Sequence, residues 1–250
     1  MWQRGENRGR GLWTLGALPL LLASLGACAS ETSEFDRAMT LMPDLANGVA
    51  VYGRCVSCHG AEGWGDAAGI HPQIAGQPAG VLIKQLANFR VGNRDHPIMR
   101  AFSSRQALGG AQDIADVAAY IEQLPMTADN GRALGGDLEL GKRIYREECA
   151  SCHGVVGEGN AVQQVPALAG QHYEYLVRQF SWIRNGRRRN TNPAMVEQIK
   201  RFSSREISAV MAYTASLEPA RAKLAPPGWT NPDFPRHWRG LRPATDARHP

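Results

Sequence analysis

The chain has 250 residues, 43% of them hydrophobic and 20% charged, which is enough for one large domain or two small ones. Its glycine, proline and aromatic contents are ordinary and exclude a fibrous or largely disordered protein. The formal charge is +5, and without the first 28 residues it falls to +3, from 25 basic and 22 acidic side chains. This balance alone argues neither for nor against a nucleic-acid partner.

Residues 1–28 have the pattern of a secretory signal peptide. Three arginines precede an apolar stretch over residues 12–27, and its 16 residues are short for a membrane-spanning helix. The final Leu-Gly-Ala-Cys resembles a bacterial lipobox, which implies that Cys28 becomes a lipid-modified N-terminal residue. The alternative is ordinary signal-peptide cleavage that leaves a free thiol. Either way, the sequence predicts an exported, periplasmic protein.

Helical periodicity without sustained strand-like alternation predicts an all-α fold. In the first half, predicted helices cover residues 45–54 and two segments with the apolar faces Leu82, Leu86 and Phe89, then Ile114, Val117, Ile121 and Leu124. In the second half, they cover residues 138–148 and two segments with the apolar faces Tyr173, Leu176, Val177 and Phe180, then Ile207, Val210, Met211 and Leu217. Asp137 is a predicted N-terminal cap, and Ser203 with Glu206 a predicted capping box.

Four of the five cysteines stand in two matching frames, Cys55-Val56-Ser57-Cys58-His59 and Cys149-Ala150-Ser151-Cys152-His153. Two thiols at this spacing can form thioethers to both vinyl groups of a haem, and the adjacent histidine then points at the iron. A thioredoxin-like site would need a βαβ context, and a four-cysteine zinc site would enclose an unusually long loop. The frames therefore predict two covalently bound haem c groups with His59 and His153 as iron ligands.

The two frames belong to an internal repeat with an offset of 94 residues. The offset relates Pro72, Ala75, Gly76, Gln77, Gln85 and Gly92 to Pro166, Ala169, Gly170, Gln171, Gln179 and Gly186. The repeat predicts an N-terminal domain over residues 36–128, a linker over 129–136 and a C-terminal domain over 137–218. Residues 219–250, rich in proline and arginine, form a tail that is either disordered or wrapped over the surface.

Each predicted domain offers a methionine for the sixth iron position, which an electron carrier needs to be filled. Met99 and Met195 follow Pro-x at matching repeat positions, 40 and 42 residues after the histidines, in what we interpret as loops. We assign both as axial ligands. Met211 lies on an apolar helix face and Met126 in a polar stretch, so both are weaker candidates.

His96 is a rival ligand for the first haem because it lies three residues before Met99. Two histidine ligands would give a lower reduction potential than one histidine and one methionine. The second copy has no matching histidine, since Asn192 precedes Pro193. His71 and His172 do not match each other in the repeat, and we interpret them as surface or packing residues.

In both copies, Cys-x-x-Cys-His-Gly-x-x-Gly-x-Gly is followed by Ala-Gly-Gln and then by Pro-x-Met. With this combination, residues 40–218 resemble the dihaem cytochrome c4 group of the class I cytochromes c. The resemblance implies two class I domains related by an approximate two-fold, with haem propionates facing the interface. It also implies periplasmic electron transfer, often towards a terminal oxidase.

One helix departs from this pattern. The second copy has Gly141 and Tyr145 four residues apart before Cys149, the usual helix-packing arrangement. The first copy has Asn47 and Val51 at those positions, or Gly48 and Tyr52 if one residue was deleted.

The leading functional hypothesis is an electron carrier, rather than an enzyme, between respiratory donors such as a quinol-oxidising complex and an acceptor such as a terminal oxidase. The alternative is the cytochrome subunit of a membrane-associated dehydrogenase or a sulfur-oxidising complex. The run Arg184, Arg187, Arg188 and Arg189 is either a docking patch for an acidic redox partner or a solvated loop. No nucleic-acid partner is expected.

Overall fold

The computed structural model describes residues 33–234. This part of the chain is helical and has isolated β-bridges but no β-strand. The first domain contains α1 (Glu34–Thr40), α2 (Leu45–Tyr52), α3 (Val56–His59), α4 (Ala79–Arg90), α5 (Pro97–Phe102), α6 (Arg105–Leu108) and α7 (Ala111–Gln123). The predicted signal peptide and Cys28 lie outside the described residues.

The second domain repeats this order without counterparts of α1 and α6 among the described residues. It contains α8 (Leu138–Ile144), a π-helix (Tyr145–Cys149), α9 (Ala150–His153), α10 (Tyr173–Arg184), α11 (Pro193–Lys200) and α12 (Ser204–Ser216). Asp137 accepts from the backbone N–H of Leu140, and Ser203 and Glu206 form the expected capping box. The predicted all-α fold is confirmed.

A glycine lets the helix before each cysteine frame, α2 or α8, closely cross the last helix of its domain, α7 or α12. A Cβ on Gly48 would lie 2.5 Å from the Asp116 carbonyl oxygen on α7, and Gly141 on α8 approaches Ala209 and Tyr213 on α12 in the same way. Gly48 is therefore the repeat mate of Gly141, which decides between the two alignments left open by the sequence. The first domain keeps the usual helix packing after all.

The π-helix contains the residue by which the two domains differ. Tyr52 stands three residues before Cys55, whereas Tyr145 stands four residues before Cys149. An inserted residue within a helix is accommodated by wider i→i+5 bonding, which is the geometry of a π-bulge. Residues 145–149 have this geometry, so the extra residue leaves both the tyrosine and the cysteine frame in place.

Each domain has its own apolar core. The first includes Tyr52, Val117 and Ile121, and the second includes Tyr145, Phe180 and Val210. Helix α1 packs on α4 and α7 of the first domain. Its Glu34 lies 2.6 Å from Arg90 and 3.0 Å from Arg105.

The tail leaves the second domain and packs on the first. Met126 donates its backbone N–H to the carbonyl of Lys223 and accepts from Ala225, both at 2.8 Å. Further along, Trp229 and Phe234 join the core of the first domain. Of the two outcomes predicted for the tail, its described part adopts the wrapped one.

The two domains are related by an approximate two-fold. Gln77 bonds to the backbone of Ala167, and its repeat mate Gln171 bonds to the backbone of Gln73, the mate of Ala167. Such exchange of equivalent contacts is the signature of a two-fold interface. Within residues 33–234, none of the helices is both long and apolar enough to span a membrane.

Candidate haem-binding sites

The two cysteines of each frame share one helical turn. Cys55 and Cys149 are the N-terminal caps of α3 and α9, and Cys58 and Cys152 lie within those helices. None of the four forms a disulfide. Burial, followed by the neighbouring Cys58, raises the pKa of Cys55 to about 12, and burial likewise raises the pKa of Cys149 to about 12. Each frame therefore presents two unpaired sulfurs together, as two thioether bonds to one haem require.

Each frame ends in a buried histidine that a backbone carbonyl orients. His59 and His153 are 7% and 8% exposed. Their Nδ1 atoms lie 3.1 Å from the carbonyl oxygens of Pro72 and Pro166, respectively. Because a carbonyl only accepts, Nδ1 carries the proton and Nε2 keeps a lone pair for a metal. Burial lowers the pKa of His59 to about 4 and also lowers that of His153, which favours the neutral ring.

A buried tyrosine holds the turn after each frame. The Tyr52 hydroxyl donates to the Gly60 carbonyl at 2.7 Å, and Tyr145 donates to Gly154 at 2.8 Å. Both tyrosines are 0% exposed, and burial raises the pKa of each hydroxyl. The sequence marked this tyrosine only as a packing residue. The hydroxyl bond was missed because its acceptor is a backbone atom.

Met99 and Met195 occupy the same place in the two domains. Each is the third residue of a short helix, α5 or α11, that begins with proline. The interpretation of these segments as loops was therefore wrong. Proline is favoured at the first position of a helix, where its missing N–H needs no partner. Both methionines are half-buried, and Met195 packs beside the second core.

The rival ligands have other roles in the described structure. Met126 is 2% exposed and packs against Gly76, and Met211 lies in the second core. His96 caps α5, since its Nδ1 accepts from the backbone N–H of Met99 at 3.2 Å. Its ring lies 5.8 Å from the ring of Trp182 in the second domain.

Two arginines that are repeat mates meet on the two-fold. Arg94 and Arg188 form an antiparallel β-bridge, and their guanidinium groups share the side-chain oxygens of Gln85 and Gln179. Arg94 is 5% exposed and its Nε has no hydrogen-bond partner. Burial, followed by the charge of Arg94, lowers the pKa of Arg188 to about 9. Among residues 33–234, neither arginine forms a salt bridge with a carboxylate.

Comparison with known proteins decides the family. The cytochrome c family model matches residues 45–125 and again residues 138–218. The chain belongs to the cytochrome c family. It is 33% identical to a thiosulfate dehydrogenase electron acceptor from Stutzerimonas stutzeri, over 82% of this chain and 94% of that protein. It is 31% identical to cytochrome c4 from Azotobacter vinelandii, over 70% of this chain and 89% of that protein.

A solved structure agrees with this assignment. Reduced cytochrome c4 from Pseudomonas stutzeri matches the fold with a TM-score of 0.59 at 26% identity, over 71% of this chain and all of that one. The protein is a dihaem cytochrome of the cytochrome c4 type, with two tandem class I domains and two covalently bound haem c groups. Electron transfer is the activity of this group.

The pair of arginines at the domain interface, Arg94 and Arg188, fits these cofactors. Arg94 is buried, Arg188 is half-buried, and the two share only neutral partners, so a nearby anion would stabilise them, because an unpaired buried charge is strongly destabilising. Haem propionates are such anions, and the orphaned Nε of Arg94 offers a donor for one of them. Arg94 and Arg188 are thus suited to hold propionates at the domain interface of this cytochrome.

The same contacts correct the predicted arginine patch. Arg188 lies at the interface between the domains, where it contacts Arg94 and Gln85 of the first domain. Arg187 stacks over Trp182 at 4.3 Å and pairs with Asp95 at 3.5 Å, and Arg189 donates to the Gly92 carbonyl. Three of the four arginines thus contact the first domain. Arg184, which is exposed, bonds within the second domain to the carbonyl of Lys200.

Proposed function

We propose that this cytochrome is an electron carrier with two haem centres that have the same set of ligands. Cys55 and Cys58 bind the first haem through thioethers, and Cys149 and Cys152 bind the second. Nε2 of His59 and of His153 is the proximal ligand. The observation that carries the proposal is that both domains hold this histidine by the same 3.1 Å bond to a proline carbonyl.

Met99 and Met195 complete the two centres as distal ligands. Their matching positions on α5 and α11 and their half-buried side chains support this assignment. Haem iron held by histidine and methionine supplies one-electron redox chemistry at a raised potential. The protein fills the sixth position, excludes small ligands and keeps the histidine in one tautomer.

Two partners are proposed for the carrier in the periplasm. Its donors are respiratory, such as a quinol-oxidising complex, and its acceptor is a terminal oxidase. The signal peptide directs export, and lipidation of Cys28 would tether the protein to a membrane.

A second candidate function is to accept electrons from a thiosulfate dehydrogenase, either freely or as a subunit of a sulfur-oxidising complex. The relative from S. stutzeri bears that description, and the match covers 94% of its length. In this role, too, the cytochrome only carries electrons, because the oxidation of thiosulfate takes place on another chain.

Rapid mixing of the purified holoprotein tests the two candidates. The oxidised protein is mixed with a thiosulfate dehydrogenase and thiosulfate, and the reduced protein with a terminal oxidase. Fast oxidation by the oxidase supports the first candidate, and fast reduction in the thiosulfate mixture supports the second. If the cytochrome alone turns over thiosulfate or peroxide, or readily binds carbon monoxide at neutral pH, the carrier proposal is wrong.

A further inference from the structure

The peptide group that orients His153 is also bonded from the other domain. His153 donates to the carbonyl of Pro166, and the same peptide group contains the N–H of Ala167. That N–H donates to Oε1 of Gln77 at 3.1 Å, while Nε2 of Gln77 donates to the Ala167 carbonyl at 2.8 Å. Gln77 and Ala167 are buried, at 7% and 5% exposed. Gln77 of the first domain thus bonds to the peptide group that orients the second domain's histidine.

The arrangement is repeated in the opposite direction. His59 donates to the carbonyl of Pro72, whose peptide group contains the N–H of Gln73. This N–H donates to Oε1 of Gln171 at 3.1 Å, and Nε2 of Gln171 donates to the Gln73 carbonyl at 2.9 Å. Gln73 and Gln171 are 1% and 5% exposed. Water therefore does not compete effectively for these bonds.

We propose that Gln77 and Gln171 are positioning residues, each of which tunes the haem of the opposite domain. An acceptor on a peptide N–H polarises the amide, so its carbonyl becomes a stronger acceptor for the Nδ1–H of the histidine. A stronger bond at Nδ1 makes the imidazole a more basic ligand and stabilises ferric over ferrous iron. Removing either glutamine acceptor should therefore raise the reduction potential of the haem across the interface. The inference rests on the proposed role of His59 and His153 as iron ligands.

The two cross-domain contacts have the same N–H to oxygen distance of 3.1 Å, but they differ in what else holds each peptide. The Gln73 side chain donates to the Gly170 carbonyl at 2.6 Å and accepts from the N–H of Thr127 at 2.7 Å. These bonds hold the Gln73 peptide even without Gln171. Ala167 has no polar side chain, so its peptide depends more on Gln77. Loss of Gln77 should consequently affect the second haem more than loss of Gln171 affects the first.

The test measures each haem separately in the full-length holoprotein. Gln77→Leu and Gln171→Leu are titrated against potential, and paramagnetic NMR follows the assigned haem methyl signals of each domain. At a fixed solution potential, Gln77→Leu should raise the reduced-to-oxidised ratio of the second haem about twofold or more. The first haem should change little. Gln171→Leu should give the crossed result, with a smaller shift.

A conservative variant and a matched control separate this role from general packing. Gln77→Glu keeps an oxygen acceptor for the Ala167 N–H, so the potential of the second haem should not exceed the wild-type value. His172→Leu removes a side-chain bond across the same interface to the carbonyl of Trp64, which orients no haem histidine. It should leave the potential difference between the haems nearly unchanged.

The outcomes distinguish this inference from the function on which it rests. If the wild type lacks two low-spin haems with histidine ligation, the proposed function fails first. If the wild type has them, but each glutamine variant shifts its own domain's haem, both haems equally, or neither, the cross-domain inference is wrong. If Gln77→Leu does not fold, Gln77→Glu and Gln171→Leu still decide the question.

Discussion

The loops that follow the two haem-binding frames are repeat mates, yet one is covered and the other is open. Ala61 and Glu62 in the first domain are each 3% exposed, whereas Val155 and Val156, 94 residues later, are 64% and 52% exposed. The tail provides part of the cover, because the Asn231 side chain donates to the Ala61 carbonyl at 2.6 Å. Among the described residues, the tail does not cover the second loop in this way.

The contacts of the haem frame belong to the repeat, whereas the cover over the first loop comes from residues outside it. Both domains have the tyrosine, histidine and glycine contacts of the haem frame, all supplied by residues inside the repeat. The cover comes from residues outside it: Trp229 lies 5.9 Å from the Trp64 ring and Phe234 lies 5.5 Å from the Tyr52 ring. Because solvent exposure helps to set a haem's reduction potential, two copies of one attachment site gain different electrochemical surroundings.

The largest effect on this comparison should come from removing the tail's aromatic anchor. Phe234 is 6% exposed in the first core, so Phe234→Ala should destabilise the first domain by about 3–5 kcal/mol. Denaturant unfolding followed at each haem measures this loss. Phe234→Leu, which keeps apolar contact, is the control and should retain most of the stability. An equal loss in both domains would show that the tail does not act on the first domain alone.

Substitutions at the two helix crossings should destabilise each domain separately. Gly48→Ala places a Cβ against the backbone of α7, and Gly141→Ala does the same against α12, at a cost of about 1–3 kcal/mol or more each. Thermal unfolding resolved by domain checks this expectation. Gly135→Ala is a suitable control, because a Cβ there meets nothing within 4 Å. A Gly48→Ala protein with unchanged stability would contradict the close crossing.

The interface should weaken in acid through His172. This residue is 2% exposed, accepts from the Gly131 N–H at 3.0 Å and lies 2.8 Å from the Trp64 carbonyl through Nε2. Burial lowers its pKa, although the Trp64 carbonyl and nearby Asp66 and Asp129 act in the opposite direction.

As the pH falls below about 6.5, the unfolded chain takes up this proton before the folded one does, so stability is lost. Unfolding measured between neutral and mildly acidic pH should therefore show a slope that His172→Gln reduces. An unchanged slope in the variant would rule out this histidine as its source.

The smallest effect is expected at the open loop. Val155→Ser and Val156→Ser replace exposed side chains and should change the free energy of unfolding by no more than about 0.5 kcal/mol. Chemical denaturation beside the Phe234→Ala protein provides the contrast. A loss comparable to that of Phe234→Ala would mean that a buried contact covers the second loop.

Local patterns predicted most of the helices and the cysteine frames. The Cys-x-x-Cys-His spacing, the capping box at Ser203 and the faces of α4 and α10 all depend on residues close in sequence. The Pro-x-Met segments were misjudged because a proline can equally begin a helix. The alignment of Gly48 also stayed open, since a π-helix insertion has no mark in the sequence.

Contacts between the domains could not be predicted in the same way. Arg188 looked like part of a surface run because a short stretch of sequence does not show which residues lie at an interface between domains. Its repeat mate Arg94 was the available signal, as an arginine retained in both copies at one offset suggests a shared role. Gln77 and Gln171 were recognised as repeated, but their bonds end on backbone atoms about 90 residues away.

We propose that each domain closes its own haem with one histidine and one methionine. Redox titration monitored by optical spectra of the wild type, Met99→Ala and Met195→Ala tests it most directly. Met99→Ala should open and shift the first haem alone, and Met195→Ala the second alone, with the other centre largely intact. If neither substitution alters the spectrum, or if either one disturbs both haems equally, the ligand assignment is wrong.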